Sequence, residues 1–112
     1  MKLVYCICRR PGMSRAEFAR YWSEVHGPIG ARIPGLRRLV QSLAIEESGR
    51  PADFDGMAEL WFDDLAALEA ARRSPEWAAA TSDESSFTEA GRSASFVSRE
   101  RTVLPPPPGG GA

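Results

Sequence analysis

Residues 13–28 constrain the fold most, because they contain one amphipathic helix whose two ends are both marked in the sequence. Ser14 and Glu17 have the spacing of a capping box, in which each side chain accepts from the backbone N–H of the other residue. One helical face receives Phe18, Tyr21, Trp22 and Val25. Gly27-Pro28 is a helix-breaking pair, so we predict that the helix ends directly after His26.

The remaining segments predict short strands and helices in a definite order. Runs of strand-forming residues predict strands at residues 2–8, 36–45, 56–62 and 93–104. Asp63 or Asp64 can cap a helix at residues 65–73, and Ser74-Pro75 can open another short helix. Residues 82–90 are mostly polar and predict a loop or a frayed turn. The order β-α-β-β-α-β is the ferredoxin-like arrangement, an α+β fold with a four-stranded antiparallel sheet.

The third predicted strand separates two different sheet faces. One face receives Ala58, Leu60 and Phe62, and the other receives Met57, Glu59 and Trp61. Two helices cover only one face of a four-stranded sheet, and the first set suits that covered core. The second set would leave a Trp and a Met exposed. We therefore expect a homodimer in which the open faces meet and enclose a cavity with mixed side chains.

Length and charge limit the classes of function. The chain has 112 residues, 14 Lys and Arg, 15 Asp and Glu and a net charge of -1, which predicts one domain and no nucleic-acid partner. No apolar run approaches the ~20 residues of a membrane span, so we expect no membrane partner and a cytoplasmic location. Residues 105–112 contain only Pro, Gly and Ala and predict a disordered tail after a domain at 1–104.

Several spaced segments resemble the EthD family. These segments are Arg10-Pro11-Gly12-Met13-Ser14, Glu17-Phe18, Tyr21-Trp22, His26-Gly27-Pro28, Ile33-Pro34-Gly35-Leu36-Arg37-Arg38, Asp55-Gly56-Met57-Ala58-Glu59-Leu60-Trp61-Phe62 and Ser74-Pro75-Glu76. The resemblance covers about residues 2–104 and implies a dimeric α+β barrel. The larger superfamily includes isomerases, polyketide cyclases, dehydratases and antibiotic-type monooxygenases, so the resemblance implies a fold more narrowly than a reaction.

Two residues are candidates for acid–base catalysis. His26 is the only histidine in the chain, and an imidazole is the side chain that ordinarily exchanges protons near neutral pH. Its alternative role is a helix C-cap that donates to the last helix carbonyls. Glu59 lies in the middle of an apolar strand, where burial would raise the pKa of a carboxyl. Its alternative role is a hydrogen-bonded structural carboxylate.

Four residues are candidates for holding a substrate. These are Tyr5, Gln41, Met57 and Trp61, which offer apolar surface with a few polar groups, although plain packing at a dimer interface would use the same residues. Trp77 is either a core residue or a lid over the cavity. The pairs Arg9-Arg10 and Arg37-Arg38 are either solvated or placed at the cavity mouth, where they would favour an anionic substrate.

We expect no cofactor, since the sequence lacks a dinucleotide-binding glycine motif, a phosphate loop and a metal-ligand cluster. The leading hypothesis is a cofactor-independent enzyme that transfers protons on a small or polyketide-like organic substrate, as an isomerase, cyclase or dehydratase. One alternative is an EthD-type oxidoreductase or cofactor-free monooxygenase. The other alternative is a non-catalytic dimer that binds a ligand in the same cavity.

Overall fold

The computed structural model describes residues 1–109, and its strands and main helices follow the predicted order. The elements are β1 (Lys2–Ile7), α1 (Arg15–Tyr21), a π-helical turn (Trp22–His26), α2 (Gly27–Gly30), β2 (Arg38–Leu43), β3 (Gly56–Trp61), α3 (Leu65–Arg72), α4 (Pro75–Asp83), a 3₁₀ turn (Glu84–Ser86) and β4 (Ala94–Ser98). The antiparallel sheet has the order β2-β3-β1-β4, which confirms the α+β, ferredoxin-like prediction. Residues 110–112 of the predicted tail lie outside the described residues.

The two sheet faces are divided as the third predicted strand indicated. Leu60 and Phe62 are buried beneath the helices, and Ala58 packs against the same core. Strand pairing places Tyr5 of β1 and Gln41 of β2 opposite Ala58, so these side chains belong to the helix-covered face. The opposite face carries no helix, and we call it the open face. Its central row is Val40, Glu59, Val4 and Phe96.

The first helix does not end after His26, so that predicted boundary is wrong. Gly27 has helical dihedral angles, φ -52° and ψ -51°, and its N–H donates to the carbonyl of Trp22, five residues earlier. Pro28 lies in the first turn of α2, where its fixed φ suits a helix. The chain is therefore helical from α1 through α2, with a wider turn inserted in the middle.

This wider turn also changes which side chains face the core. Phe18 and Trp22 are buried as expected, with 1% and 2% of their surface exposed. Val25 is 42% exposed, because a π-helical turn shifts the helical phase of the residues that follow its start. The predicted apolar face is thus correct as far as Trp22, where the turn begins, and wrong at Val25.

Two other boundaries differ from the prediction. α4 runs to Asp83 and continues into the 3₁₀ turn, so part of the predicted loop at 82–90 is helical. β4 ends at Ser98 rather than at 104, because Ser98 pairs with Lys2, where β1 begins, and no strand remains beside the residues that follow. Within residues 1–109, no helix combines the length and the apolar character needed to cross a membrane.

Two core clusters join the helices to the sheet. The first contains Leu3, Ile33, Leu60, Phe62, Leu68, Ala71 and Ala80. The second contains Ile7, Phe18, Trp22 and Phe87. The second cluster supports the π-helical turn and hence the position of His26, since Trp22 begins that turn and His26 ends it.

Replacing Gly56 with alanine is expected to destabilise the protein by about 1–3 kcal/mol, because the methyl group would overpack the second cluster. A Cβ at Gly56 would lie 2.6 and 2.7 Å from two carbons of the Trp22 ring. The measurement is the free energy of unfolding in urea. Gly30→Ala is the matched control, since its Cβ would meet Leu39 at an ordinary 3.6 Å. Equal unfolding free energies for the two variants would contradict the predicted clash.

Candidate active site

A cavity lies between the helix-covered face of the sheet and the helical layer. Its polar and aromatic lining includes Tyr5, His26, Gln41, Trp77, Glu84 and Phe87. The rest of its lining is mainly apolar, and Thr81 of α4 is an exposed residue at its edge. Its volume is about 70 Å³, well below the roughly 300–1,000 Å³ of drug-sized binding sites. The cavity therefore suits a ligand smaller than a polyketide.

His26 is held in the cavity wall by a carboxylate from α4. Its Nδ1 lies 2.9 Å from Oδ2 of Asp83, and Oδ1 of Asp83 accepts a 2.6 Å hydrogen bond from the Tyr21 hydroxyl. The side chains of His26 and Asp83 are 15% and 14% exposed. A carboxylate at Nδ1 favours the tautomer that carries its proton there, which leaves Nε2 as the nitrogen with a free lone pair.

The position of His26 does not match its alternative role as a helix cap. The helical run continues past it into α2, and its ring bonds across the fold to Asp83. Phe87 packs against the imidazole with a centroid distance of 4.6 Å and is itself fully buried. Ring packing on one side and the Asp83 hydrogen bond at Nδ1 together fix the orientation of the imidazole.

Glu84 is a second acidic group in the cavity wall. Its Oε2 accepts a 3.1 Å hydrogen bond from the Tyr5 hydroxyl. Burial raises the pKa of Glu84, while the Tyr5 hydrogen bond and the nearby His26 act in the lowering direction and Asp83 in the raising one. Burial and the adjacent Glu84 also raise the pKa of Tyr5. The cavity thus places a tyrosine–carboxyl pair near the His26–Asp83 pair.

Sequence reasoning missed Asp83 and Glu84 because both fall in the segment predicted as a loop. Helical spacing offered a usable signal, since Trp77, Ala80 and Glu84 follow at i, i+3 and i+7 on one face. The structure places all three in the cavity lining. Extending the helix that starts at Ser74-Pro75 by two turns would have identified Glu84 as a cavity residue.

Tyr5 and Gln41, two of the predicted substrate-binding residues, do line the cavity. The side-chain amide of Gln41 donates to the carbonyl of Trp22 at 3.0 Å, so it also braces the π-helical turn. A contact between either residue and a substrate remains a prediction. Trp77 is half-buried, lines the cavity and packs against the first core cluster, and its role as a lid stays a prediction.

Glu59, Met57 and Trp61 lie on the open face, so the expectation that they share one cavity with Tyr5 and Gln41 is wrong. Successive residues of a strand point to opposite faces, and the register places Ala58, not Glu59, beside Tyr5 and Gln41. Glu59 is therefore separated from His26 by the sheet itself, and a joint catalytic role for the two residues has no geometric basis.

The open-face residues instead form a charged and aromatic surface. Lys2 Nζ lies 2.7 Å from Oε2 of Glu59, which fits the alternative role of a structural carboxylate. Lys2 and Arg38 lie over the Trp61 ring, 5.3 and 4.7 Å from its centroid. The Trp61 indole N–H donates to Glu100.

The two arginine pairs do not reach the cavity, so their proposed place at its mouth is wrong. Arg9 pairs with Asp55 at 2.7 Å, and Arg37 pairs with Asp63 at 2.8 Å. The Arg37 guanidinium lowers the pKa of the Asp63 carboxyl. Within residues 1–109 no lysine or arginine lines the cavity. No three His, Cys, Asp or Glu side chains of that part of the chain are arranged to hold a metal ion.

Comparison with known proteins identifies the family. Residues 10–91 match the family model described as the EthD domain. The chain belongs to the EthD family. Over 90 aligned residues it is 31% identical to an uncharacterized 11.0 kDa protein from the thcB-thcC intergenic region of Rhodococcus erythropolis. The alignment covers 80% of this chain and 86% of that relative.

Solved structures support both the family and the fold. An EthD family protein of Bacillus halodurans superposes with a TM-score of 0.75 at 25% identity, covering 89% of this chain and 97% of the other. SnoaB of Streptomyces nogalater, a cofactor-independent oxygenase, gives 0.64 at 20% identity, covering 94% and 96%. Two further structures with this fold are described as dimeric ferredoxin-like proteins. The EthD resemblance inferred from the sequence motifs is thereby confirmed.

Proposed function

We propose that this EthD family protein is an enzyme that transfers a proton on a small organic substrate, with His26 as the base. The observation that carries the proposal is the His26–Asp83 pair, set in the wall of a largely apolar cavity. This is the usual geometry of an activated imidazole, because the carboxylate orients the ring and stabilises the imidazolium that forms. Asp83 is a positioning residue in this proposal, since it acts through His26.

The proposed reaction begins when Nε2 of His26 removes a proton from an acidic C–H or O–H group of the substrate. The bond to hydrogen breaks, the electron pair remains on the substrate as an enolate or phenolate, and the new N–H forms on the imidazole. Return of the same proton to another atom completes an isomerisation. In a cyclisation the enolate carbon attacks a carbonyl carbon of the same substrate, the carbonyl π bond breaks, and the resulting alkoxide takes the proton from the imidazolium. Return to a departing hydroxyl group gives a dehydration with release of water. Each outcome balances without an added reductant or oxidant.

The size of the cavity narrows the expected substrate. A volume of about 70 Å³ holds a short chain or part of one ring, since an engineered cavity of about 150 Å³ is what encloses benzene. The rest of a larger substrate would lie outside, beside Thr81. We therefore favour a small lactone, enol or single-ring compound over a full polyketide.

A cofactor-free oxygenase is the second candidate. SnoaB, which shares this fold, is a cofactor-independent oxygenase. The same proton removal by His26 would produce an electron-rich phenolate, which is the form of an aromatic substrate that reacts with molecular oxygen. The aromatic side chains of Trp22, Trp77 and Phe87 would pack against the part of such a ring that enters the cavity.

The test is a turnover screen of small lactones, enols, aromatic acids and polyketide mimics, with oxygen uptake recorded in parallel and His26→Ala beside the wild type. Turnover that requires His26 and consumes no oxygen supports the proton-transfer enzyme. Turnover with oxygen uptake replaces it by the oxygenase. Saturable binding without turnover, unchanged in His26→Ala, contradicts both and favours the non-catalytic dimer.

We also propose that the protein is a homodimer joined through its open face. Phe96 is 59% exposed on that face, in the edge strand β4 beside Val4. Burial of such a surface against a second copy would remove an exposed apolar patch.

Replacing Phe96 with glutamate is expected to convert the dimer to a monomer, because each interface would then bury unpaired carboxylates. Light scattering should fall from twice 12.2 kDa to 12.2 kDa. Leu65→Glu is the control, since Leu65 is 47% exposed on α3, away from the open face. A wild type that is already monomeric, or a Phe96→Glu variant that remains dimeric, would remove the proposed interface.

A further inference from the structure

We infer that the cavity selects uncharged or cationic ligands against carboxylates, and that Glu84 is the residue that sets this preference. The inference concerns the same cavity as the proposed function and so rests on that assignment of the site. It names a property of the substrate that the family membership and the solved structures leave open. It also reverses the sequence-based idea that arginine pairs would favour an anionic substrate.

The described lining of the cavity offers no lysine or arginine as a counter-charge to a ligand carboxylate. A carboxylate that leaves water for a largely apolar cavity needs a cation or several hydrogen-bond donors to replace its hydration. No lysine or arginine within residues 1–109 contributes to the lining. His26 is the lining residue that can become cationic, and its Nδ1 is already paired with Asp83.

The cavity wall also contains an acidic side chain. Glu84 lies in the lining itself, and Asp83 is next to it in the chain. Oε2 of Glu84 accepts a hydrogen bond from a neutral donor, the Tyr5 hydroxyl. Arg9 and Arg37 do not compensate this acidity, because they form salt bridges with Asp55 and Asp63. A ligand carboxylate in the cavity would therefore face the Glu84 carboxyl and the His26 imidazole, whose Nδ1 is already paired with Asp83.

The same wall would attract hydrogen-bond donors and cations. The Glu84 carboxyl is an acceptor for a ligand N–H or O–H group, and its charge favours a cation. The aromatic rings of Tyr5, Trp77 and Phe87 line the same space, and ring faces attract cations as well as neutral rings. The expected ligand thus has a small apolar body and at least one hydrogen-bond donor.

The test uses ligands that share one shape and differ in charge. Benzamidinium, benzamide and benzoate are planar and nearly equal in size, and acetamidinium, acetamide and acetate form a smaller series that separates size from charge. Binding is followed by NMR at about pH 8, well above the ordinary pKa of a carboxyl. The readout is the indole N–H signals of Trp22 and Trp77 in the cavity wall, with Trp61 on the open face as an internal control.

The expected order of affinity is acetamidinium, then acetamide, then acetate, with at least about a tenfold difference between the first and the last. The benzamidinium series should follow the same order, with part of each ring outside the cavity beside Thr81. Glu84→Gln keeps the size of the side chain and should reduce that difference to about threefold or less. Glu69→Gln, an exposed position on α3, removes the same charge at the surface and should leave the difference unchanged.

Three outcomes would overturn the inference. The first is benzoate binding as tightly as benzamide, and the second is a charge preference that survives in Glu84→Gln. The third is that neither series shifts the Trp22 and Trp77 signals, or that Trp61 responds instead. The assay needs no turnover, so its result is separate from that of the proposed reaction. A charge preference without any His26-dependent turnover would retain this inference and reject the proposed enzyme.

Discussion

Replacing His26 with alanine is expected to lower kcat by about 10²–10⁴-fold, the usual contribution of a positioned general base. The fold should persist, because Asp83 retains its hydrogen bond from Tyr21 and the neighbouring Phe87 lies in an intact core cluster. We expect the free energy of unfolding to change by less than about 2 kcal/mol, the scale of one lost hydrogen bond. The measurements are steady-state kinetics on the best substrate of the screen and urea unfolding of the same samples.

Glu24→Ala is the surface control for this experiment. Glu24 is an exposed residue of the same helical turn, and its partner is Arg20 at 3.2 Å on the same helix. It should leave kcat and KM unchanged. A loss of about tenfold or less in His26→Ala would show that the imidazole does not carry the proton-transfer step.

Asp83→Asn distinguishes a positioning role from a merely structural one. An asparagine keeps the size of the side chain and removes the charge that stabilises the imidazolium. We expect kcat to fall while KM changes little, because the amide no longer stabilises the imidazolium that forms during proton transfer. A loss of kcat that is matched by a rise in KM and a loss of stability would indicate a structural role only.

The fold was predictable because its main signals are local. The alternation at Ala58, Leu60 and Phe62 identifies a covered strand face from a few neighbouring residues, and the Ser14 cap is confirmed by its 3.0 Å bond from the Glu17 N–H. Four such strands and the helical segments between them allow few arrangements. The family motifs agree with this solution, so the topology and the family were both accessible from the sequence.

The site was only partly predictable because its composition depends on register. A sequence shows that Tyr5 and Gln41 each alternate with their neighbours, but the pairing with Ala58 decides which face they share. A shift of one residue in either strand would have joined them to Glu59 instead. The prediction therefore combined residues from both faces, and strand pairing separates them.

The helical part of the site depended on where helices end. Gly27-Pro28 is normally a helix stop, but here the π-helical turn at Trp22 lets Gly27 continue the helix into α2. The polar residues at the end of α4 predicted a loop, whereas the helix continues to Asp83 and places it in contact with His26. The first error arises because tertiary contacts, including the Gln41 bond to the Trp22 carbonyl, outweighed the local preference of Gly27-Pro28 for ending a helix.

Replacing Trp22 with alanine is expected to reduce the free energy of unfolding by about 3–5 kcal/mol, the usual cost of removing a buried large aromatic side chain. The ring is 2% exposed, packs 5.5 Å from the Phe18 ring and covers Gly56. Its backbone carbonyl keeps the bonds to Gly27 and Gln41, so the loss measures the ring rather than the turn. Urea unfolding at a fixed protein concentration provides the measurement.

A double-mutant cycle shows whether this loss comes from the contact with Gly56. The methyl group of Gly56→Ala collides with Trp22, so it should enter the space that Trp22→Ala leaves. We expect Gly56→Ala to cost less in the Trp22→Ala background, with a coupling energy of about 0.5–3 kcal/mol. Additive effects would contradict the contact. Because Trp22 also lines the cavity and begins the turn that ends at His26, its loss should lower both turnover and stability, whereas His26→Ala should lower turnover with little loss of stability.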